Sequence, residues 1–488
     1  MRNIWKVRRV GALRTAAPGP TRLRCASLVL ALILAPGVLG NACTANWWER
    51  PEEALDYLEG LIYRPGADPT LSLRYWFVRQ RLTSRFLLTG SVEQGYALPA
   101  DRIRNPTGLA WGDATIHLGW YMAVLATEHY LIRGGRLIVI PGAPNPSVVE
   151  PFSALGNAQS ELYFALAALE RLDRSGEAAF ASPVPCALSA IDRPGFFIRD
   201  DVPSNFSVAN VPVYISDFSA PTQRTLSAGA VDNYLIDGNT LYNKEMSQDQ
   251  VYHLLFGLAF VRRYMSGVVA GNVDLGWWAE ALAERLVAKL RDDNWRIENP
   301  ACAKRVDRGE DARAFAYGAS RAVSALSFGR VNIQSGIDRS LWFALIPYAD
   351  AGLVGGPLVE STSYTDNLHM LMTLAAVGRG WDEVTANRLI FYAGIYDWYA
   401  YPLAYVALHG KPLEWMFYET LLRYRVFAML NASPWEGPSS YGFSPGWRST
   451  HRFLRSRSLQ ERTPEDLPTE YNGLDFLLLH NLSIIAEL

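Results

Sequence analysis

The sequence predicts an all-α protein, a single α/α toroid of helical hairpins with a loop- and strand-rich insertion. Three observations carry that expectation. About a dozen segments repeat apolar residues at the three- and four-residue steps of one helix face. Outside 180–243, no stretch sustains the alternation of a half-buried strand. Helices rich in Gly, Ala and aromatics, such as GDATIHLGWYMAVLA, alternate imperfectly with longer charged ones, such as AQSELYFALAALERLDR. Inner and outer layers of a ring would alternate in that way. Short-period solenoid motifs are absent, and similar helices recur irregularly, about 50 residues or more apart.

Taken in order, the chain opens on a targeting segment. Arg2, Lys6, Arg8, Arg9, Arg14, Arg22 and Arg24 precede an apolar run from Ala26 to Leu39, then Gly40, Asn41 and Ala42. About fourteen apolar residues are too few to span a bilayer, so 1–42 reads as a signal peptide. The expected location is exported: periplasmic, outer-membrane-associated or extracellular. Cleavage after Ala42 leaves Cys43 first, as in a lipoprotein attached to a membrane, although Gly40 stands where a lipobox has Leu. The toroid domain is 43–488. Its later cysteines, Cys186 and Cys302, lie in loops and could pair in an oxidising compartment.

A short helix is expected over Pro51–Tyr63, an amphipathic one over Leu71–Leu88 and a third over Gly112–Arg133. NAQSELYFALAALERLDR follows with Glu161 in its first turn. The insertion, 180–243, carries GFFIRDDVP and VPVYISDF as short β-like runs. Ser247 followed by Gln250 reads as a capping box, which starts the next helix at Gln248. Further helices are expected over Val273–Asp292, Asp311–Ala325, Ser340–Tyr348, from Asp366, and over Trp381–Tyr396. Tyr399–His409, Leu413–Asn431 and Leu474–Leu488 complete the chain.

Hydrophobic residues at 49% and charged ones at 19% describe a folded chain with ample core. Fifteen Trp, 24 Tyr and 20 Phe are enough to line flat, partly apolar ligands such as sugar faces, or simply to pack a large helical domain. Net charge is −2, with no basic run after the first 24 residues, which argues against nucleic acid as a partner. No phosphate-binding Gly-rich loop and no Gly-x-Ser-x-Gly elbow is present, so nothing calls for a cofactor.

The chemistry-bearing pattern is an aspartate at a helix start with a histidine one turn later. It occurs at Asp113 and His117, at Asp249 and His253, and at Asp366 and His369. Trp120 and Tyr121 follow the first pair. Aspartate in a first turn is also favoured for capping and dipole reasons alone. Asp and His at i, i+4 could coordinate a metal, but no complete ligand motif appears and no metal is expected. Arg199, Asp200 and Asp201 form a second charged cluster, read as a turn, an internal ion pair or a contribution to a cleft rim. Trp435 and Tyr441, in SPWEGPSSYGFSPGW, are candidates for a sugar platform or an ordered surface loop.

On helices such as WGDATIHLGWYMAVLA and SQDQVYHLLFGLAF, the chain resembles the six-hairpin (α/α)6-toroid superfamily of carbohydrate-active enzymes, and its exported bacterial members in particular. The resemblance is architectural and covers most of the mature chain. It implies inner helices whose starts open on one cleft, and a glycoside hydrolase with two carboxyls across the scissile bond. Asp113, Asp249 and Asp366, assisted by His117 and His253, are the expected catalytic groups. Trp120, Tyr121, His369, Trp435 and Tyr441 are expected to bind an oligo- or polysaccharide. A polysaccharide lyase acting on uronic-acid glycans is one alternative. A non-catalytic toroid binding glycan or protein at the cell envelope is the other.

Overall fold

Ten helices and two short hairpins make up the described part of the chain. The computed structural model describes residues 69–87, 95–100, 111–137, 151–181, 194–202, 212–215, 222–225, 245–297, 315–336, 364–378, 398–410, 416–432 and 472–487. All fall within one unit, Tyr57–Leu488. The expected signal peptide, Cys43, Cys186, Cys302, Trp435 and Tyr441 lie outside these residues, as do the helices expected at 51–63, 340–348 and 381–396.

The helices are α1 (Pro69–Arg85), α2 (Ala114–Arg133), α3 (Pro151–Ala181), α4 (Gln248–Tyr264), α5 (Leu275–Asp292), α6 (Ala316–Leu326), α7 (Tyr364–Val377), α8 (Ala400–His409), α9 (Met416–Ala432) and α10 (Leu474–Ile485). β1 (Pro212–Ile215) pairs antiparallel with β2 (Thr222–Thr225), and β3 (Val269–Ala270) with β4 (Val273–Asp274). The chain is all-α, as expected.

Burial sorts the helices into two kinds. α2, α4 and α10 are buried almost all round, as helices enclosed by other helices must be. α5 buries one stripe, including Leu275, Ala279, Leu282, Leu286 and Leu290, and turns Glu284, Arg291 and Asp292 outward.

Contacts along the enclosed helices fix their direction. Near the start of α4, Gln250 Nε2 donates to Gly112 O just ahead of α2 (3.4 Å); near the end, the Tyr130 and Tyr264 rings meet at 4.7 Å. Between them, Gly119 and Gly257 press backbone on backbone, where a Cβ on either would overlap the other helix. α2 and α4 are therefore parallel. The same stepping links α4 to α8, through Phe256 and Tyr401 (6.2 Å) and then Tyr264 Oη to Ala407 O (2.7 Å). It links α7 to α8, through His369 and Tyr401 (2.6 Å) and then His409 to Ala376 O (3.2 Å). Asn481 meets Val124 and Thr127, and Arg136 meets Ile484 O, so α10 runs with α2. Tyr252 meets Phe315 at the start of α6, and Arg262 lies over Phe328 past its end. Thus α2, α4, α6, α7, α8 and α10 share one direction. Each packs on the next in that order, and α10 packs on α2.

The remaining connections run back. Tyr75 on α1 meets Glu128 late in α2, Arg79 lies over Tyr121 two turns earlier, and Phe86 past the end of α1 bonds Ala100 beside the Pro99–His117 contact, so α1 opposes α2. The β3–β4 hairpin reverses the chain after α4, and Arg262 meets Glu280 of α5 at 2.6 Å. Between these layers Arg79 is enclosed with Glu128 (2.9 Å) and Glu161 (2.7 Å). The Tyr75 hydroxyl donates to Glu128, and that of Tyr121 to Glu161.

Three local expectations are corrected. α4 does begin at Gln248, but the capping box does not form. Ser247 Oγ donates to the Asp249 carboxylate, and the Gln250 side chain turns to α2 instead of back to Ser247. Glu161 is not in a first turn, because α3 starts at Pro151, a residue whose missing N–H suits the first helical position. Residues 195–202 form no strand; PVYI does, as β1.

Candidate functional site

The starts of the parallel helices place the predicted acids. Asp113 is the N-cap residue of α2, but its carboxylate makes no capping bond. It stands 3.7 Å from the Arg199 guanidinium, which also donates to Gly112 O (3.4 Å). Asp249, in the first turn of α4 and partly exposed, accepts from Ser247 Oγ and from Gln250 N (2.9 Å). Because Gln250 also holds Gly112 O, the two aspartate-bearing helix starts are tied together. Asp366 lies in the first turn of α7; its side chain is outside the described residues.

One turn deeper is a group of rings. The His253 and His369 ring centroids are 6.4 Å apart, and the Trp398 ring lies tilted 4.1 Å from that of His369. Trp120 lies 6.4 Å from His253 and 5.3 Å from Phe256. The two histidines carry their hydrogen on different nitrogens. His253 Nδ1 is 2.7 Å from Asp249 O. A carbonyl can only accept, so Nδ1 carries the hydrogen and Nε2 of the neutral ring is an acceptor. His369 Nδ1 is 2.6 Å from the Tyr401 hydroxyl. Burial, set against a weaker opposing bond from Thr373, pushes the Tyr401 phenol well above its usual range, so it keeps its proton. We assign that proton as donated to His369 Nδ1, which leaves Nε2–H of the neutral ring as a donor. One imidazole thus accepts where the other donates, the arrangement needed to take a proton from one atom and give one to another.

His253 bonds the main chain of Asp249, not its carboxylate. His117 is fully buried with Nδ1 toward Pro99 O (3.2 Å), and so ties the 95–100 segment to α2. Tyr121 is also fully buried and committed to Glu161, which takes it out of the Trp120–His253 group. Within the second charged cluster, Asp201 pairs with Arg171 and Asp200 accepts from Val202 N (3.0 Å). Only Arg199 joins the helix starts. Trp398, Tyr401 and Phe256 were missed as site residues. The one signal was the Trp398–Tyr401 three-residue step at the start of α8.

The chain has no match among protein-family models, curated proteins or solved structures.

Among the described residues, no three or more His, Cys, Asp and Glu are grouped to hold a metal ion. At the far ends of the parallel helices lies a pocket of ≈ 100 Å³, between Arg262, Phe328, Leu408 and His409. It does not adjoin the aspartates.

Proposed function

We propose that the chain is an exported glycan-active enzyme on an (α/α)6 toroid, and that it acts as a glycoside hydrolase at the end bearing Asp113, Asp249 and Asp366. The observation that carries this reading is the shared direction of six neighbouring helices. It sets three first-turn or N-cap aspartates at one end. Carboxyls on facing helix starts can flank a glycosidic bond, one protonating the leaving oxygen and the other activating water or attacking. Asp249, oriented by two donors, suits the second task. Trp120, Trp398 and the two histidines lie deeper, where they would shape the floor rather than contact the sugar directly.

The opposite tautomers of His253 and His369 favour a second reading, a uronate lyase. There His253 Nε2 takes the proton α to the carboxylate, His369 Nε2–H serves the leaving oxygen, and Arg199 neutralises the carboxylate. The hydrolase reading ranks first because His253 and His369 are only 6% and 5% exposed, whereas the Asp113 side chain is 21% exposed. A panel of neutral and uronic-acid glycans separates the two. New reducing ends without ultraviolet absorbance support hydrolysis, an absorbing unsaturated uronide supports elimination, and neither release nor binding removes both.

A further inference from the structure

We propose that the end of the helix array opposite Asp113 and Asp249 docks on an anionic membrane surface. The large hydrophobic side chains exposed among the described residues are Leu73, Tyr130, Val269, Trp277 and Phe328, at 37, 40, 56, 63 and 51%. Single exposed hydrophobics are ordinary on any surface. Here all five share one end. Tyr130 is in the last turn of α2 and Phe328 just past α6. Val269 is on the β3–β4 hairpin that follows α4, and Trp277 is in the first turn of α5, which runs back from it. Leu73 is in the second turn of α1, which opposes α2, so the chain also enters α1 at this end.

The charge at that end complements an anionic surface. Arg133, Arg136, Arg262, Arg263, Arg330 and Arg423, which donates to Glu487 O, stand there against Asp274, Glu280 and Glu487, a balance of six minus three among these groups. Glu280 is shared by Arg262 and Arg330, and Arg262 lies 4.7 Å under the Phe328 ring, so cation and apolar ring form one patch. Arginine in a last turn also answers the helix dipole, so the exposed rings carry more weight than the charge. Trp and Tyr settle at the headgroup level of a bilayer, and arginines draw such a surface to anionic lipid. No helix among the described residues is long and apolar enough to cross a membrane, so the contact would be peripheral. It would turn the aspartate-bearing end away from the lipid.

Vesicle flotation of the full chain tests this, using phosphatidylcholine with and without phosphatidylglycerol at low and high salt. Comparison within one chain length cancels any binding by its N-terminal apolar run. Wild-type chain should float with the anionic vesicles, and less so at high salt. Trp277→Ser with Phe328→Ser should lower partitioning about tenfold or more. Arg133→Gln with Arg263→Gln should erase the preference for anionic lipid. All four positions are exposed or half-exposed, and an unchanged melting temperature verifies the fold. Equal flotation by wild type and both double variants would overturn the proposal, as would no flotation at all. A concentration-dependent dimer lost in Trp277→Ser, with no lipid dependence, would assign this end to a second copy of the chain instead.

Discussion

Arg79 stands between Glu128 and Glu161, one guanidinium for two carboxylates, with the three residues 5, 2 and 5% exposed. Burial pushes the Glu128 carboxyl upward against the pull of Arg79 and the Tyr75 hydroxyl. Burial alone would lower Arg79, but Glu128 and Glu161 raise it overall. Removing the one cation leaves two enclosed acids, so Arg79→Met should cost about 3–5 kcal/mol in denaturant unfolding. Asp173 gives a second prediction. Burial lifts its carboxyl to about 6, against the Gly195 N–H and Arg285. A group whose folded pKa is raised binds more protons folded than unfolded, so stability falls as pH rises from the ordinary carboxylate range to about 6. Asp173→Asn keeps an acceptor for Gly195 N and should flatten that fall, which is at most about 3 kcal/mol. Unfolding titrations across that window check it.

Among the elements, the α2–α4 contact is the tightest. A Cβ on Gly257 would overlap Gly119 O, and one on Gly119 would overlap His253 O. Alanine gains up to about 1 kcal/mol of helix propensity over glycine. Forced backbone separation costs about 1–3 kcal/mol, so Gly257→Ala should destabilise on balance. Gly119→Ala should, in addition, move the His253 backbone and impair any activity more than Gly257→Ala does. Thermal melts and assays on the pair check this.

Helix existence was legible because apolar periodicity is local: α4 and α8 begin within a residue of expectation. The chemistry at the ends was less so. Ser247 and Gln250 match a capping box in sequence, yet Gln250 finds a better-placed acceptor at Gly112 O, a partner 138 residues away. That Asp113, Asp249 and Asp366 fall at helix starts was legible, because capping and dipole preferences are local. The partners of Tyr121 and His117 were not legible, because neighbours on one helix point to different layers and local periodicity does not say which layer each face meets. Trp398 and Tyr401 were passed over because aromatics in an apolar helix look like core until His369 is placed beside them.

For the whole molecule, six parallel helices create two unlike ends, one carrying aspartates and Arg199, the other exposed rings and arginines. The proposed function requires the first end to be a glycan site. Asp249→Asn tests that most directly, because it removes the charge while keeping an acceptor for Ser247 and Gln250. Turnover of the glycan cleaved by the wild-type chain should fall about 10²–10⁴-fold. Stability should shift by less than about 1 kcal/mol in the same preparation. Unchanged turnover with a lowered melting temperature would make Asp249 a helix cap and contradict the account.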